Sequence, residues 1–573
     1  MFFKHLFVFL CLTAVLLSGC GKTPKKNIAF TKEGGLDADV NWQQKKDFDQ
    51  SVELLNSLES SPCLPETPGA EKLVQTADRL NKWMQDRKPD ELWKPDDELS
   101  AMETASKKTA QTAEEIAGSL QRLQEDDSTL LIAEIAKVKE LLTQLTAETK
   151  NVAGICGLSG VANYSKQVED LQRKFAALEK IPNLNDAAIK AFAKQLTNET
   201  NDFKGIAELF EKYAAQLRLD GQFFQLSDVE YLKQCFWMRD TSRWARGDKQ
   251  VLLDVAVNLF DWTVCNIDLR ESLDVQVSQN QTLRMPQMFP WQTMLLGYST
   301  LWDRTTVFLE LLRQQRIDAA VLSVPHPQNP KVDLYWAVGV LLDGEMYLFL
   351  PGFGLPLPAP DGMIITENGE LTFSKVATLS QVLKDDKILR QLDLSDKEKF
   401  PITAEMLKQT KFHLFVTPES ASLRSKVMET ELTSEQNAVL YTNIQEQRRI
   451  FTKLAAELIP QSGQFSTLTL WKYPFLTKFE QLTMGTNTNL LMNAFVRPNP
   501  KRGDFPLWTG RVLYLKGKIS GQESAVTEFQ DARIPDREMN EYRNTPEFRN
   551  NPLAAALLRD VSLLATFWLG TAS

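Results

Sequence analysis

Three histidines and six cysteines in 573 residues bound the chemistry this chain can do. Histidine is the side chain whose ordinary pKa makes it a base near neutral pH. His5 lies in an apolar leader, which leaves His326 and His413. His326 sits in Pro325-His326-Pro327, which reads as a surface loop joining two strands. His413 sits in Lys411-Phe412-His413-Leu414-Phe415-Val416, which reads as a strand. Both are expected to be structural. Hydroxyls at Tyr298, Ser299 and Thr300 could act as nucleophiles only beside a base, and neither histidine is near them in sequence. Cys265, on an apolar helical run from Leu259, and Cys235, next to Phe236 and Trp237, read as buried, inert thiols. No Cys-x-x-Cys or His-x-x-x-His spacing occurs, so zinc is not expected. Asp126-Asp127 and Asp385-Asp386 read as solvated surface. Gly352-Phe353-Gly354 lacks the strand–helix context and the later Gly and Lys of a phosphate loop. No cofactor is expected.

The N-terminus reads as an export signal. Lys4 and His5 precede an apolar run from Leu6 to Leu17, too short for a spanning helix. Leu17-Ser18-Gly19-Cys20 resembles the lipobox of bacterial lipoproteins, which implies a palmitate-type diacyl anchor on the Cys20 sulfur. Each buried methylene of such an anchor contributes about 0.8 kcal/mol. The expected location is the extracytoplasmic side of a bacterial envelope membrane. The net charge is −9, and cleavage before Cys20 removes Lys4 and no acid. An acidic chain is a poor nucleic-acid partner. A hydrophobic fraction of 43% with 24% charged residues is ordinary for a globular chain.

The elements that must position any site are mostly helical. Residues 21–45 are polar and aperiodic and read as a tether. Pro62, Pro65, Pro68, Pro89 and Pro95 break residues 46–100 into short, loosely packed helices. Leu131, Ile135, Val138, Leu142 and Leu145 are spaced 4, 3, 4, 3, and Tyr164, Val168, Leu171, Phe175 and Leu178 repeat the pattern after a Gly-containing break. Such seams predict a coiled coil or an antiparallel hairpin. Asn183 to Asp186 can cap a third helix running to about Gln216. Farther on, the order is helix (249–266), helix (301–316), a strand from Ala319, and two apolar runs flanking Asp343-Gly344, a hairpin signal. Ala525, Phe529 and Ala532 resemble the second helix of a tetratricopeptide repeat, and 565–570 the first helix of another.

Residues of about 250–362 resemble the transglutaminase-like superfamily, which shares its fold with papain-like cysteine enzymes. The resemblance rests on Asp303-Arg304 through Leu311-Leu312-Arg313, on Ile317-Asp318-Ala319, on Trp336-Ala337-Val338 ahead of Asp343-Gly344, and on Leu350-Pro351. The family pattern implies a Cys thiolate at a helix N-terminus, a His that moves its proton and an Asp that orients the His. Those positions fall on Leu301, on Trp336 (or Tyr335, one residue earlier) and on Leu350. None can serve as thiolate, base or carboxylate. The expectation is a cleft closed by these apolar replacements rather than an open peptide groove.

The fold class expected is mainly α with one α+β domain. Its parts are a signal peptide over 1–19, a tether over 20–45, a helical bundle or coiled coil over 46–227, the transglutaminase-like domain over 228–400 and a helical region with tetratricopeptide-like helices over 401–573. The expected protein is a membrane-anchored pseudoenzyme with a structural or protein-binding role, its protein or peptide partner unidentified. The alternatives are an envelope hydrolase or acyl-transferase with displaced catalytic residues, and a scaffold that assembles through residues 103–220.

Overall fold

The computed structural model describes residues 38–572, apart from 60, 64–66, 86, 88–91, 125–130, 159–160, 179, 181–184, 279–280, 366–370, 434–435, 460–467, 500–501 and 547–551. Cys20, the expected signal peptide and most of the expected tether lie outside the described residues. The chain is mostly helical, with 63% helix and 10% strand. No described helix is long and apolar enough to cross a membrane. Two compact units form, each from segments distant in sequence: one takes residues 90–221 and 242–491, the other the remainder.

In the smaller unit, helix Ala38–Leu58 begins inside the stretch expected to be tether. Its stripe of Phe48, Val52 and Leu55 is buried. Helix Pro68–Met84 starts with Pro68 in the first turn and Thr67 accepting from the Ala70 N–H. The loose packing expected here is not observed. Leu55 and Leu80 are fully buried, and Trp83 packs on Phe48 at 4.8 Å. Pro68 therefore starts a helix without loosening it. Pro506–Leu515, Ala525–Ala532 and Pro552–Ala572 pack together. Gly510 admits Phe529 so closely that a Cβ would lie 2.6 Å from its ring. The buried Arg511 guanidinium lies 3.6 Å over Trp568, and burial pushes its pKa down to about 9. The Lys516 ammonium bridges Glu59 and Asp240.

In the larger unit, Asp97–Gln124, Leu131–Cys156, Ala162–Leu178 and Thr197–Leu217 form a helical bundle. The predicted seam residues Val138, Leu142, Leu145, Leu171 and Phe175 are buried inside it. Asn185 caps Asp186–Ala193 by accepting from the Ala188 N–H at 2.9 Å.

The same unit holds a six-stranded sheet of β1 (Ala319–His326), β2 (Asn329–Leu342), β3 (Glu345–Leu350), β4 (Leu355–Pro356), β5 (Lys411–Leu414) and β6 (Leu468–Leu470), in the order β6-β5-β1-β2-β3-β4. Only β5 and β6 run parallel. Asp343 and Gly344 turn β2 into β3 with φ of 51° and 81°. A two-residue turn with both φ positive matches the twist of the strands, which is why Asp-Gly specifies it. On one sheet face Phe349 packs against Phe260 and Phe308 at 5.2 and 5.4 Å. On the other, Leu322, Leu348 and Leu350 join the core that continues into the bundle.

Candidate functional site

Two helices set up the site. Pro290–Leu296 starts with Pro in its first turn, is closed by the Phe289 N–H donating to Gln292 Oε1 at 2.8 Å, and stops at Gly297 with φ 72°. Tyr298–Ser299 then pairs in parallel with Asp268–Leu269. Thr300 caps the next helix, Leu301–Gln314, whose first residue is Leu301.

The polar centre of this helix start is Asp303, which is fully buried. Its Oδ1 accepts from the Met288 N–H at 2.9 Å and from the Tyr473 hydroxyl at 2.8 Å. Its Oδ2 accepts from Thr300 Oγ1 at 2.8 Å. Burial pushes the Asp303 pKa up to about 6, and these three donors limit the rise. Tyr473 also contacts Gln287, and its hydroxyl is held well above its ordinary pKa by burial and by Asp303. The arrangement braces the two helices and the Tyr473 segment together. It leaves Asp303 no free face for a substrate.

Beside this knot lies an apolar cleft of about 150 Å³. Leu301, Trp302, Tyr335, Trp336, Phe353 and Phe400 contribute to its walls. Leu301 lies at 3.6 Å from the point where a Cβ on Gly352 would stand. Trp336 is the extra residue of a β-bulge: Leu322 pairs with Ala337, but Ser323 pairs with Tyr335. A bulge re-aims a side chain locally. The indole Nε1 of Trp336 is buried with no hydrogen-bond acceptor among the described residues. Leu301 and Trp336 thus meet in one cleft. Leu350 does not line it. It is fully buried in the core on the opposite face from Phe349, because successive strand residues point to opposite sides. The expected closure by Leu301, Trp336 and Leu350 is therefore not observed: Leu350 is absent from the wall, and Leu301 and Trp336 leave a cleft open between them.

Among the described residues no imidazole lies beside the hydroxyls preceding the helix, and the one carboxylate beside them, Asp303, is taken up by the knot. Ser299 is fully buried and donates to the Thr300 carbonyl at 3.0 Å. Thr300 is committed to its cap, and Tyr298 lies under the Arg270 guanidinium at 3.8 Å. His326 ends β1 beside the two-residue turn at 327–328, with Nδ1 accepting from the Gln328 N–H at 3.2 Å.

His413 is more connected than its sequence suggests. It lies on β5 inside the sheet, opposite Val321. Its Nε2 is 2.7 Å from Ser323 Oγ and its Nδ1 is 3.0 Å from Thr469 Oγ1. The Tyr335 ring covers it at 4.9 Å. Burial is the main cause that lowers the His413 pKa to about 4, so the ring is neutral at pH 7. Sequence reasoning missed this pair because the two residues lie 90 positions apart. The only available signal was an apolar strand containing a single His.

The cysteines divide. Cys235 is fully buried, as expected. Cys265 is exposed, contrary to expectation. The buried stripe of its helix is Val255, Ala256, Leu259, Phe260 and Thr263, and Cys265 falls off it. Cys156 is buried, and burial raises its thiol pKa to about 11. In the smaller unit, Cys63 Sγ lies 3.3 Å from Lys233 Nζ. Among the described residues no cluster of three or more His, Cys, Asp or Glu could hold a metal ion. Comparison with protein-family models, with curated proteins and with solved structures finds no match for this chain.

Proposed function

We propose that this chain is a lipid-anchored protein of the bacterial envelope in which a transglutaminase-like module has lost its catalysis and holds a partner protein. The observation that carries the reading is the side-chain set at the start of helix Leu301–Gln314. The position that chemistry would give to a thiolate is Leu301, in an apolar cleft faced by Trp336. Such a cleft excludes water and offers aromatic surface, which suits an apolar side chain on an extended peptide. The anchor is tested by palmitate labelling, expected to be lost in Cys20→Ser. Inertness is tested by incubating the mature protein with amine donors, peptides and cell-wall fragments. No turnover is expected; turnover abolished by changing Ser299, Ser323, His326 or His413 would overturn the reading.

A second reading, an envelope hydrolase or acyl-transferase with displaced residues, is favoured by the Ser323–His413 contact, which has the reach of a nucleophile and its base. It is disfavoured by the burial of both groups and by Thr469, where an orienting carboxylate would be needed. Labelling of Ser323 by an active-site fluorophosphonate would support it; a chain left unlabelled would eliminate it.

A further inference from the structure

Neither the apolar cleft nor the Ser323–His413 contact involves the pair formed by Cys63 and Lys233. Both residues belong to the smaller unit, and the proposed function does not draw on them. Lys233 lies on helix Leu226–Arg246 and is only 4% exposed. Its Nζ stands 3.3 Å from Cys63 Sγ and 5.3 Å from the centre of the Trp508 ring. Cys63 is a half-buried free thiol in the connection between helices Ala38–Leu58 and Pro68–Met84.

That connection is held from several sides. The Trp508 indole Nε1 donates to the Glu59 carbonyl at 2.8 Å, and Thr67 Oγ1 donates to the Pro62 carbonyl at 2.8 Å. The Pro62 carbonyl also lies so near Gly69 that no Cβ fits between them. Cys63 follows Pro62 directly, so the backbone that carries the thiol is fixed against the start of a helix. On the other side, burial of the Lys233 stem removes the rotamer freedom that an exposed lysine keeps. Two rigid supports therefore present the thiol and the amine to each other. Cys63 is not sealed off, because the residue keeps part of its surface exposed. Among the described residues no cysteine is in a disulfide, and the group beside Cys63 is an amine rather than a second thiol.

We propose that Cys63 and Lys233 form a reversible oxidative cross-link in which one oxygen atom joins Sγ to Nζ. The co-reactant is molecular oxygen. In the neutral pair, the S–H bond, one N–H bond and the O–O bond break, and S–O and O–N bonds form. One oxygen becomes the bridge, and the other leaves as water with the two released hydrogens. Sulfur and nitrogen each give up two electrons, and dioxygen takes all four. Two equivalents of a dithiol reverse the step, returning thiol, amine and a second water. The link ties the connection at Cys63 to helix Leu226–Arg246 and makes the packing of the smaller unit respond to oxygen.

The test is peptide mapping of the full chain by mass spectrometry after incubation in air-saturated buffer, with an anaerobic sample in dithiothreitol as reference. The peptides that hold Cys63 and Lys233 are expected as one species. It should be about 14 Da heavier than their sum, because one oxygen is gained and two hydrogens are lost. Dithiothreitol should separate the two peptides and restore iodoacetamide labelling of Cys63. The species should be lost in Lys233→Arg, which keeps the charge, and in Cys63→Ser. Should a variant fail to fold by circular dichroism, the map of the native chain decides alone. Separate, unmodified peptides in the aerated sample would overturn the proposal. So would a direct sulfur–nitrogen link, about 2 Da lighter than the sum, or an oxidised Cys63 not joined to Lys233.

Discussion

The apolar cleft and the Ser323–His413 pair lie on one sheet and divide between them what a catalytic site must combine. The cleft has access and aromatic surface but is walled at its key position by Leu301. The pair has a hydroxyl 2.7 Å from an imidazole, but both are buried and Tyr335 covers the ring. Reactive types sit where solvent does not reach, and the accessible space lacks reactive types. A close hydrogen bond between a hydroxyl and a histidine therefore says little about catalysis until access and a third, orienting group are considered. The Asp303 knot extends the lesson: it keeps a helix-start acid and uses it entirely for bracing.

The largest test of that division is Asp303→Ala. It leaves the Met288 N–H and the Thr300 and Tyr473 hydroxyls without their shared acceptor. At about 1–3 kcal/mol for each unsatisfied buried group, and with non-additive sums, a loss of about 3–5 kcal/mol in urea unfolding is expected. Loss below ~1 kcal/mol would mean that Asp303 is not a structural brace.

pH separates the two polar centres next. Folded Asp303 holds its proton up to about pH 6, against an ordinary 3.8. Its contribution is therefore fully present below pH 3.8 and is lost as pH rises through about 6. Folded His413 resists protonation down to about pH 4, against an ordinary 6.5. Its contribution is fully present above pH 6.5 and is lost as pH falls through about 4. At 1.36 kcal/mol per pKa unit, each is worth about 3 kcal/mol, and between pH 4 and 6 they oppose one another. Unfolding midpoints should consequently vary little over that window in the native chain. They should rise with pH in Asp303→Asn and fall with pH in His413→Gln. Parallel profiles in the two variants would contradict the opposed assignments.

Ser323→Ala should cost about 1–3 kcal/mol by stranding His413 Nε2, with no change in any turnover. A stable variant would mean that the pair contributes nothing to the fold. The smallest effect is expected from Leu301→Cys. A thiol at that helix N-terminus gains the favourable helix dipole, but among the described residues no imidazole lines the cleft. It should react with iodoacetamide yet catalyse no transfer to amine donors, with a stability change below about 1.5 kcal/mol. Catalysis by that single variant would show that a base is within reach.

Much of the architecture is legible in local pattern. The seam from Leu131 to Leu145 has the 4, 3 spacing that buries one helix stripe, and it is buried. Asp343-Gly344 dictates its turn through the φ angles it tolerates. Asn185 caps a helix where an Asn after a Pro suggested one. Burial of individual side chains is less legible. Cys265 stands on an apolar helix but off its inward stripe, which depends on the phase set by packing.

Sequence by itself determined the mainly helical class, the hairpin and the lack of a thiol at the start of helix Leu301–Gln314, because these depend on residue type and short-range spacing. Only tertiary structure decided that Leu350 is left out of the cleft lined by Leu301 and Trp336, that Ser323 meets His413 and that Asp303 is sealed under Tyr473. Each of those depends on strand register or on a contact between distant segments. A one-residue bulge such as that at Trp336 re-aims a side chain without leaving a mark in composition.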